Sequence, residues 1–204
     1  MEKRNWKHSV TLKQRMVLCL AAFFAAFALQ LALNGYQARA VQQVQDDQMG
    51  NFNAISRFQG GVESSISILE AYRWENGETE EMLEKLQAAC STSNAWLWRI
   101  RSNMDGLQNV SDEQWVLYGA VETTYGSYNT LLEELESYLS SGQEAKASQL
   151  YYNKVSVCGG YLSQYTMQLL KASILDAQTT YTEISELGER IALMQIVVVA
   201  LCVA

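Results

Sequence analysis

The chain has 204 residues, a formal net charge of −7 and no proline. The acidic balance argues against nucleic acid or an anionic membrane surface as a partner, because both attract a basic face. The lack of proline, together with abundant Glu, Gln, Leu and Ala, leaves few obstacles to long helices and predicts an all-α protein.

The amino-terminal end carries a basic segment followed by an apolar one. Residues 1–15 contain five Lys or Arg against a single acid, Glu2, and residues 16–33 are apolar except for Gln30. A helix of ~20 residues at ~1.5 Å each crosses a ~30 Å hydrocarbon core. Because Lys and Arg beside a span stay in the cytoplasm, we expect residues 1–15 to be cytoplasmic and residues 16–33 to be a first transmembrane helix.

A cleaved signal peptide is the rival interpretation of this segment. Ala38-Arg39-Ala40 has the A-x-A form of a cleavage site, and the basic start also fits. However, the apolar run exceeds the ~7–15 residues of an ordinary signal peptide, and polar residues 34–39 separate it from the cut. A retained membrane anchor is the expectation that we carry forward.

The carboxyl-terminal end is apolar again. Residues 191–204 contain only one polar side chain, Gln195, and are still apolar at Ala204. We expect them to be the start of a second, truncated transmembrane helix. Residues 34–190 carry 21 acidic and 10 basic residues and are expected to lie outside the cell, as an extracytoplasmic sensor domain.

Turn signals divide the external segment. Asn76-Gly77 is a turn dipeptide, Ser111 and Gln114 have the spacing of a capping box, and residues 140–142 read Ser-Ser-Gly. Thr79 follows the first turn as an expected N-cap. The predicted helices are 34–75, 79–105, 112–139 and 143–190.

Each predicted helix has an apolar seam with spacings of three and four residues, as packing against neighbouring helices requires. The seam of the first helix is Phe52, Ile55, Gln59, Val62, Ile66 and Leu69. The seam of the third is Tyr118, Val121, Tyr125, Tyr128, Leu132, Leu135 and Leu139. Short connections make successive helices antiparallel, which predicts an up-down-up-down four-helix bundle between two transmembrane helices.

This architecture resembles the sensory half of bacterial two-component sensor histidine kinases and of four-helix-bundle chemoreceptors. The resemblance covers the whole chain, from the basic start through both apolar segments. It implies a HAMP linker and a kinase or chemotaxis module after the second span, in a bacterial cell membrane. Sensor kinase is the first expectation, chemoreceptor the alternative, and a two-span scaffold or interaction protein the second alternative.

Catalytic and metal-binding patterns are absent from the external segment. The single histidine, His8, lies in the cytoplasmic segment, so the usual acid-base and metal-binding side chain is missing outside. The sequence also lacks Cys-x-x-Cys pairs and phosphate-binding glycine loops. We therefore expect no catalytic residue, metal or cofactor in this chain; a histidine kinase activity would belong to the longer protein.

Small residues recur at one height in all four predicted helices. They lie ~20–27 Å below the distal turns by helical rise, and they are Gly60, Gly61, Cys90, Gly126, Cys158, Gly159 and Gly160. Glycine within a helix costs ~1 kcal/mol relative to alanine, so this level needs a reason, either close helix packing or a ligand cavity or flexible waist. Cys90 and Cys158 lie on diagonal helices and are either a disulfide or two buried thiols.

Two further expectations concern surfaces. Trp98 points away from the predicted core beside Arg99 and Arg101, a combination typical of an interface or of an anionic-ligand site, although a partly covered surface tryptophan is the simpler explanation. Near the membrane only the two outer helices remain, with apolar faces that a parallel homodimer would cover. The extracellular ligand or partner protein is not named by any motif.

Overall fold

A computed structural model describes residues 12–72, 79–107 and 110–203. All regular secondary structure in these ranges is helical, which confirms the all-α prediction. The helices are α1 (Leu12–Ala71), α2 (Thr79–Gly106), α3 (Asp112–Ser140), α4 (Glu144–Leu150) and α5 (Ser156–Val203), with a π-helical turn (Tyr151–Val155) between α4 and α5. The predicted turn at Asn76-Gly77 and most of the basic segment lie outside the described residues.

The helix ends agree with the predicted ones within a residue for α2 and α3. α1 ends at Ala71, four residues early, and the predicted fourth helix is interrupted by the π-helical turn. Gly142 explains the sharp stop after α3, because it has φ +69° and its N–H donates to the Leu139 carbonyl at 3.0 Å. Glycine adopts this left-handed conformation without steric cost.

The chain forms two compact units. The terminal unit contains the residues up to Gln43 and from Tyr181 onward, and the central unit is Val44–Thr180. Helices α1 and α5 contribute residues to both units. No helix in the described ranges combines the length and the apolar character that crossing a membrane requires.

The terminal unit brings α1 and α5 close together at one point. A Cβ atom built on Gly188 of α5 would lie 2.6 Å from Nε2 of Gln37 on α1. Large apolar side chains of α1 in this unit are exposed; they include Met16, Val17, Leu20, Phe23, Phe24, Phe27, Leu29 and Leu31. At this point the two helices therefore approach through a small and a polar residue, while the apolar side chains named above are exposed.

The core of the central unit follows the predicted α3 seam. All seven seam residues, from Tyr118 to Leu139, are buried. On α1 the buried stripe differs from the predicted seam, because Phe52, Gln59 and Ile66 are only half-buried. Phe58, outside that seam, is fully buried. Phe58 lies inside because its ring makes an edge contact with Tyr125, with ring centroids 5.2 Å apart.

Side-chain contacts establish the relative direction of α1 and α2 in the central unit. The Tyr72 hydroxyl at the end of α1 bonds to Thr79 Oγ1 at the start of α2, at 2.7 Å. Further along, Gly61 faces Ser93, and a Cβ on Gly50 would lie 4.0 Å from the Asn103 Nδ2. Falling numbers on α1 pair with rising numbers on α2, so these helices run in opposite directions.

The expected capping box at α3 is only half formed. Ser111 is the N-cap, and its Oγ accepts a bond from the Gln114 N–H at 3.3 Å. The Gln114 side chain does not return to the Ser111 N–H, which instead donates to Asp176 Oδ2 of α5 at 3.2 Å. A carboxylate is a stronger acceptor than a neutral amide, and its charge is favourable at a helix amino terminus.

Replacing Asp176 with alanine should therefore destabilise the fold from a distance of 65 residues along the chain. We expect a loss of about 1–2 kcal/mol in the free energy of unfolding, because the part-buried Ser111 N–H loses a charged acceptor. Urea unfolding of the chain in mild detergent measures it. The control is Asp112→Ala, which removes an exposed acid from the first turn of α3. It should lower the free energy of unfolding by only ~0.3–1 kcal/mol. Equal losses would contradict the assigned role of Asp176.

Candidate functional site

The predicted Trp98, Arg99 and Arg101 cluster is not gathered into one site. Trp98 is 68% exposed, in agreement with its outward position. Arg101 Nη1 lies 3.6 Å from Glu122 Oε1 on α3, and Glu122 also accepts a bond from the Tyr118 hydroxyl at 3.1 Å. Arg99 and Arg101 are two residues apart on a helix and so do not face each other. An interface role for Trp98 stays a prediction.

The predicted small-residue level divides into two groups. A Cβ on Gly159 would lie 3.0 Å from Ile66 Cδ1 and 3.3 Å from Tyr128 Cε2, and one on Gly61 would collide with Ser93. The other three glycines would place a Cβ with nothing within 4 Å; they are Gly60, Gly126 and Gly160. Close packing therefore accounts for two of the five glycines, and their spaces are occupied by neighbouring side chains.

Tyr128 occupies the centre of this level. Its side chain is 1% exposed, and its hydroxyl lies 3.0 Å from Ser65 Oγ. The Ser65 hydroxyl donates its own hydrogen bond to the Val62 carbonyl at 2.7 Å, so Tyr128 is the donor in its bond to Ser65. We call Ser65, Tyr128 and Gly159 the tyrosine layer; it joins α1, α3 and α5 at one height.

Cys90 and Cys158 are both half-buried free thiols, and no disulfide joins them in this structure. The Cys158 thiol donates to the Thr124 carbonyl of α3 at 3.7 Å, which directs it away from a bond across the core. Burial raises the pKa of the Cys90 thiol to about 11 and also raises the pKa of Cys158. Both side chains are protonated at neutral pH and behave as small packing groups.

Adjacent glycines allow a direct test of the packing role. Gly159→Leu should lower the free energy of unfolding by about 1–3 kcal/mol, because the new side chain overpacks Ile66 and Tyr128. Gly160→Leu, one residue on and facing open space, should leave stability unchanged or raise it by up to ~1 kcal/mol through helix propensity. Thermal and urea unfolding of the two variants compare them. Similar losses in both would show that the height on the helix, and not the contact, causes the glycine requirement.

The Cys90 thiol and the buried tyrosine hydroxyls make the free energy of unfolding depend on pH above neutrality. Burial raises the pKa of Cys90 to about 11 and that of Tyr125 to about 12. The unfolded chain loses these protons first, from about pH 8.5 for cysteine and 10 for tyrosine. The contribution of these groups to the free energy of unfolding is therefore complete below about pH 8.5. It is lost as the pH rises towards 12.

Removing one of these groups should weaken that loss. In Cys90→Ala we expect a shallower fall in the unfolding midpoint between about pH 8.5 and pH 11 than in the unchanged chain, because only Cys158 and the tyrosines still contribute. Urea midpoints measured from pH 7 to pH 11 give the two profiles. Profiles that are parallel over the whole range would contradict a raised Cys90 pKa.

A set of buried polar side chains was missed by the sequence analysis. Asn51 and Ser173 are fully buried, Gln114 is 1% exposed and Gln48 is 6% exposed. No partner satisfies Gln48 Oε1, either polar atom of the Asn51 side chain, Gln114 Oε1 or Ser173 Oγ. A buried polar group without a partner costs ~1–3 kcal/mol, so this set needs an explanation.

Three of these residues lie at one height. The tyrosine layer aligns Ser65, Tyr128 and Gly159. Fourteen residues earlier on α1 and α3, and fourteen residues later on the antiparallel α5, are Asn51, Gln114 and Ser173. Fourteen residues correspond to ~21 Å on each helix. The bond between Ser111 and Asp176 supports this register, because it pairs α3 with α5 three residues further along each.

We call Gln48, Asn51, Gln114 and Ser173 the polar layer. Gln48 joins it from one helical turn below Asn51, on the same side of α1. The sequence pattern that could have revealed this layer is weak. Ser173 follows the buried Thr166 by seven residues and Gly159 by fourteen, which places all three on one face of α5. Gln114 looked like a cap residue, and Asn51 fell beside the predicted seam instead of on it.

Comparisons with known protein families, curated proteins and solved structures gave no match to this chain. Within the described residues, no three His, Cys, Asp or Glu side chains come together as a metal site. The role of the chain is therefore inferred from its sequence pattern and from the geometry of the two units.

Proposed function

We propose that the chain is the sensing and transmembrane-signalling module of a bacterial receptor, of the two-component sensor histidine kinase type. In this proposal residues 34–190 are extracytoplasmic, residues 16–33 span the membrane, and residues 191–204 begin a second span. A chemoreceptor with the same architecture is the alternative. The observation that carries the proposal is the continuity of α1 and α5.

Both helices run unbroken from the apolar ends of the chain into the central unit. α1 has 60 residues, or ~90 Å of helix, and contains both the apolar run 16–33 and the core residue Leu69. α5 has 48 residues and reaches from the tyrosine layer to the second apolar run. An unbroken helix carries a small shift along its axis, as receptors that signal by helix displacement require.

Contacts within the central unit support an up-down-up-down four-helix bundle as its architecture. α1 and α2 run in opposite directions, as described above. α3 and α5 also run in opposite directions, because Thr124 neighbours Cys158 while Ser111 bonds to Asp176. A bundle of this kind presents both outer helices at the same end, where they would meet the membrane.

Membrane insertion is proposed from the sequence. Residues 16–33 of α1 are apolar except for Gln30, and a helix that is apolar all round in sequence needs an apolar surrounding. Basic residues precede this run and acidic residues dominate after it, which orients the amino terminus inwards.

A homodimer is part of the proposal. Ile174, Tyr181 and Leu187 of α5 are 41%, 62% and 55% exposed, although all three are apolar or aromatic. A second copy in parallel orientation would cover them. A scaffold protein could assemble in the same way, but it would not change the activity of a downstream module on ligand binding.

Topology tests the proposal first. Alkaline phosphatase fused after Gly50 should be active, because the enzyme folds only outside the cytoplasm, and the same fusion after Arg15 should be inactive. Enzyme activity in intact cells and the mature amino terminus are the measurements. Inactivity of the Gly50 fusion would reject an external sensor domain, and a mature chain beginning at Val41 would replace the anchor with a signal peptide.

A further inference from the structure

The polar layer differs from the other buried polar positions of the central unit. Ser93 and Thr166 donate to carbonyls one turn back, at 2.9 Å and 2.8 Å, and Ser65 bonds to Tyr128. Elsewhere the core therefore satisfies its polar groups internally. In the polar layer, five atoms from three helices are left without partners at neighbouring heights.

These atoms define the chemistry that would satisfy them. Gln48 Oε1, Asn51 Oδ1 and Gln114 Oε1 are acceptors, Asn51 Nδ2 is a donor, and the Ser173 hydroxyl is both. A complementary solute carries more donors than acceptors. A primary amide has this pattern, with two N–H donors and one carbonyl acceptor.

Charge excludes an ionic solute. The buried polar side chains among the described residues are Gln, Asn, Ser and Thr only, with no Asp, Glu, Lys or Arg. An ion in this position would be desolvated without a counter-charge, at a cost far above that of a neutral group. Asp176, three residues beyond Ser173 on α5, is already bonded to the Ser111 N–H.

We propose that the polar layer is a binding site for a small, uncharged solute bearing a primary amide. The solute bonds to Asn51 on α1, Gln114 on α3 and Ser173 on α5. This assignment names the ligand class of the proposed sensor and rests on that function only for the signalling role. The binding part of the proposal rests on the unpartnered groups.

The position of the site couples it to the two long helices. Asn51 lies seven residues inside the start of the central unit at Val44, and Ser173 lies seven residues before its end at Thr180. A solute bonded to both residues links α1 to α5 two helical turns from these limits. Its binding energy differs between two relative positions of the helices, which is the requirement for a ligand to shift a conformational equilibrium.

Side-chain amide NMR of the full chain in detergent micelles tests the site with acetamide as the probe. The chain is labelled with ¹⁵N at Asn and Gln, and Asn51→Leu and Gln114→Leu assign the two signals by their loss. We expect acetamide to shift both signals saturably. Acetate, which has the same shape and a negative charge, should shift neither. Gln59, whose Nε2 donates to Glu63 at the surface at 2.8 Å, is the internal reference.

Two variants separate binding from folding. Ser173→Ala should weaken acetamide binding about tenfold, the equivalent of one hydrogen bond. Thr166→Val, one heptad away with its hydroxyl already bonded to the Leu162 carbonyl, should leave the affinity unchanged. Retained Asn51 and Gln114 signals in each variant show that the fold persists.

Three outcomes would overturn the proposal: no saturable shift with acetamide, an equal response to acetate, or cross-peaks from both amides to water alone. The last outcome would make the layer a hydrated structural element. None of them alters the result of the alkaline phosphatase fusions, so failure of the site and failure of the sensor assignment are distinguishable.

Discussion

The hydrogen bond from Tyr128 to Ser65, buried beside Gly159, is the constraint on which the central unit depends. A phenol cannot be buried at low cost unless its hydroxyl finds a partner, and its ring needs a gap in the facing helix. Ser65 supplies the partner and Gly159 supplies the gap. Together they set the height of α1, α3 and α5 relative to one another, with little freedom to slide.

The same register produces the polar layer. Once Ser65, Tyr128 and Gly159 are aligned, helices of equal rise must also align Asn51, Gln114 and Ser173 two heptads away. One layer is satisfied from within and the other is not. The tyrosine layer, whose polar groups are bonded to each other, restricts movement of the helices. In the polar layer a solute would gain hydrogen bonds with groups that have no partner in the protein.

Stability and signalling place opposite demands on such a core. Leucine at Asn51 or Gln114 would remove a desolvation cost, so retention of amides there opposes stability. Proteins tolerate costs of this kind at binding sites, where a ligand restores the missing bonds. The proposed sensor has a closely packed tyrosine layer, and its unsatisfied groups lie two heptads away on α1, α3 and α5. A ligand there acts close to the helices that would carry the signal.

The sequence by itself determined the helical class, the bounds of α2 and α3 within a residue, and the α3 seam, because these depend on local propensity, turn chemistry and a 3.6-residue period. Only the tertiary structure decided which contacts those seams make. It assigned the Ser111 N–H to Asp176 instead of Gln114, left Cys90 and Cys158 as separate thiols, and gave a packing role to Gly159 but not to Gly160. The polar layer belongs to this second group: Asn51, Gln114 and Ser173 lie far apart in the chain, and nothing local reveals that they share one height.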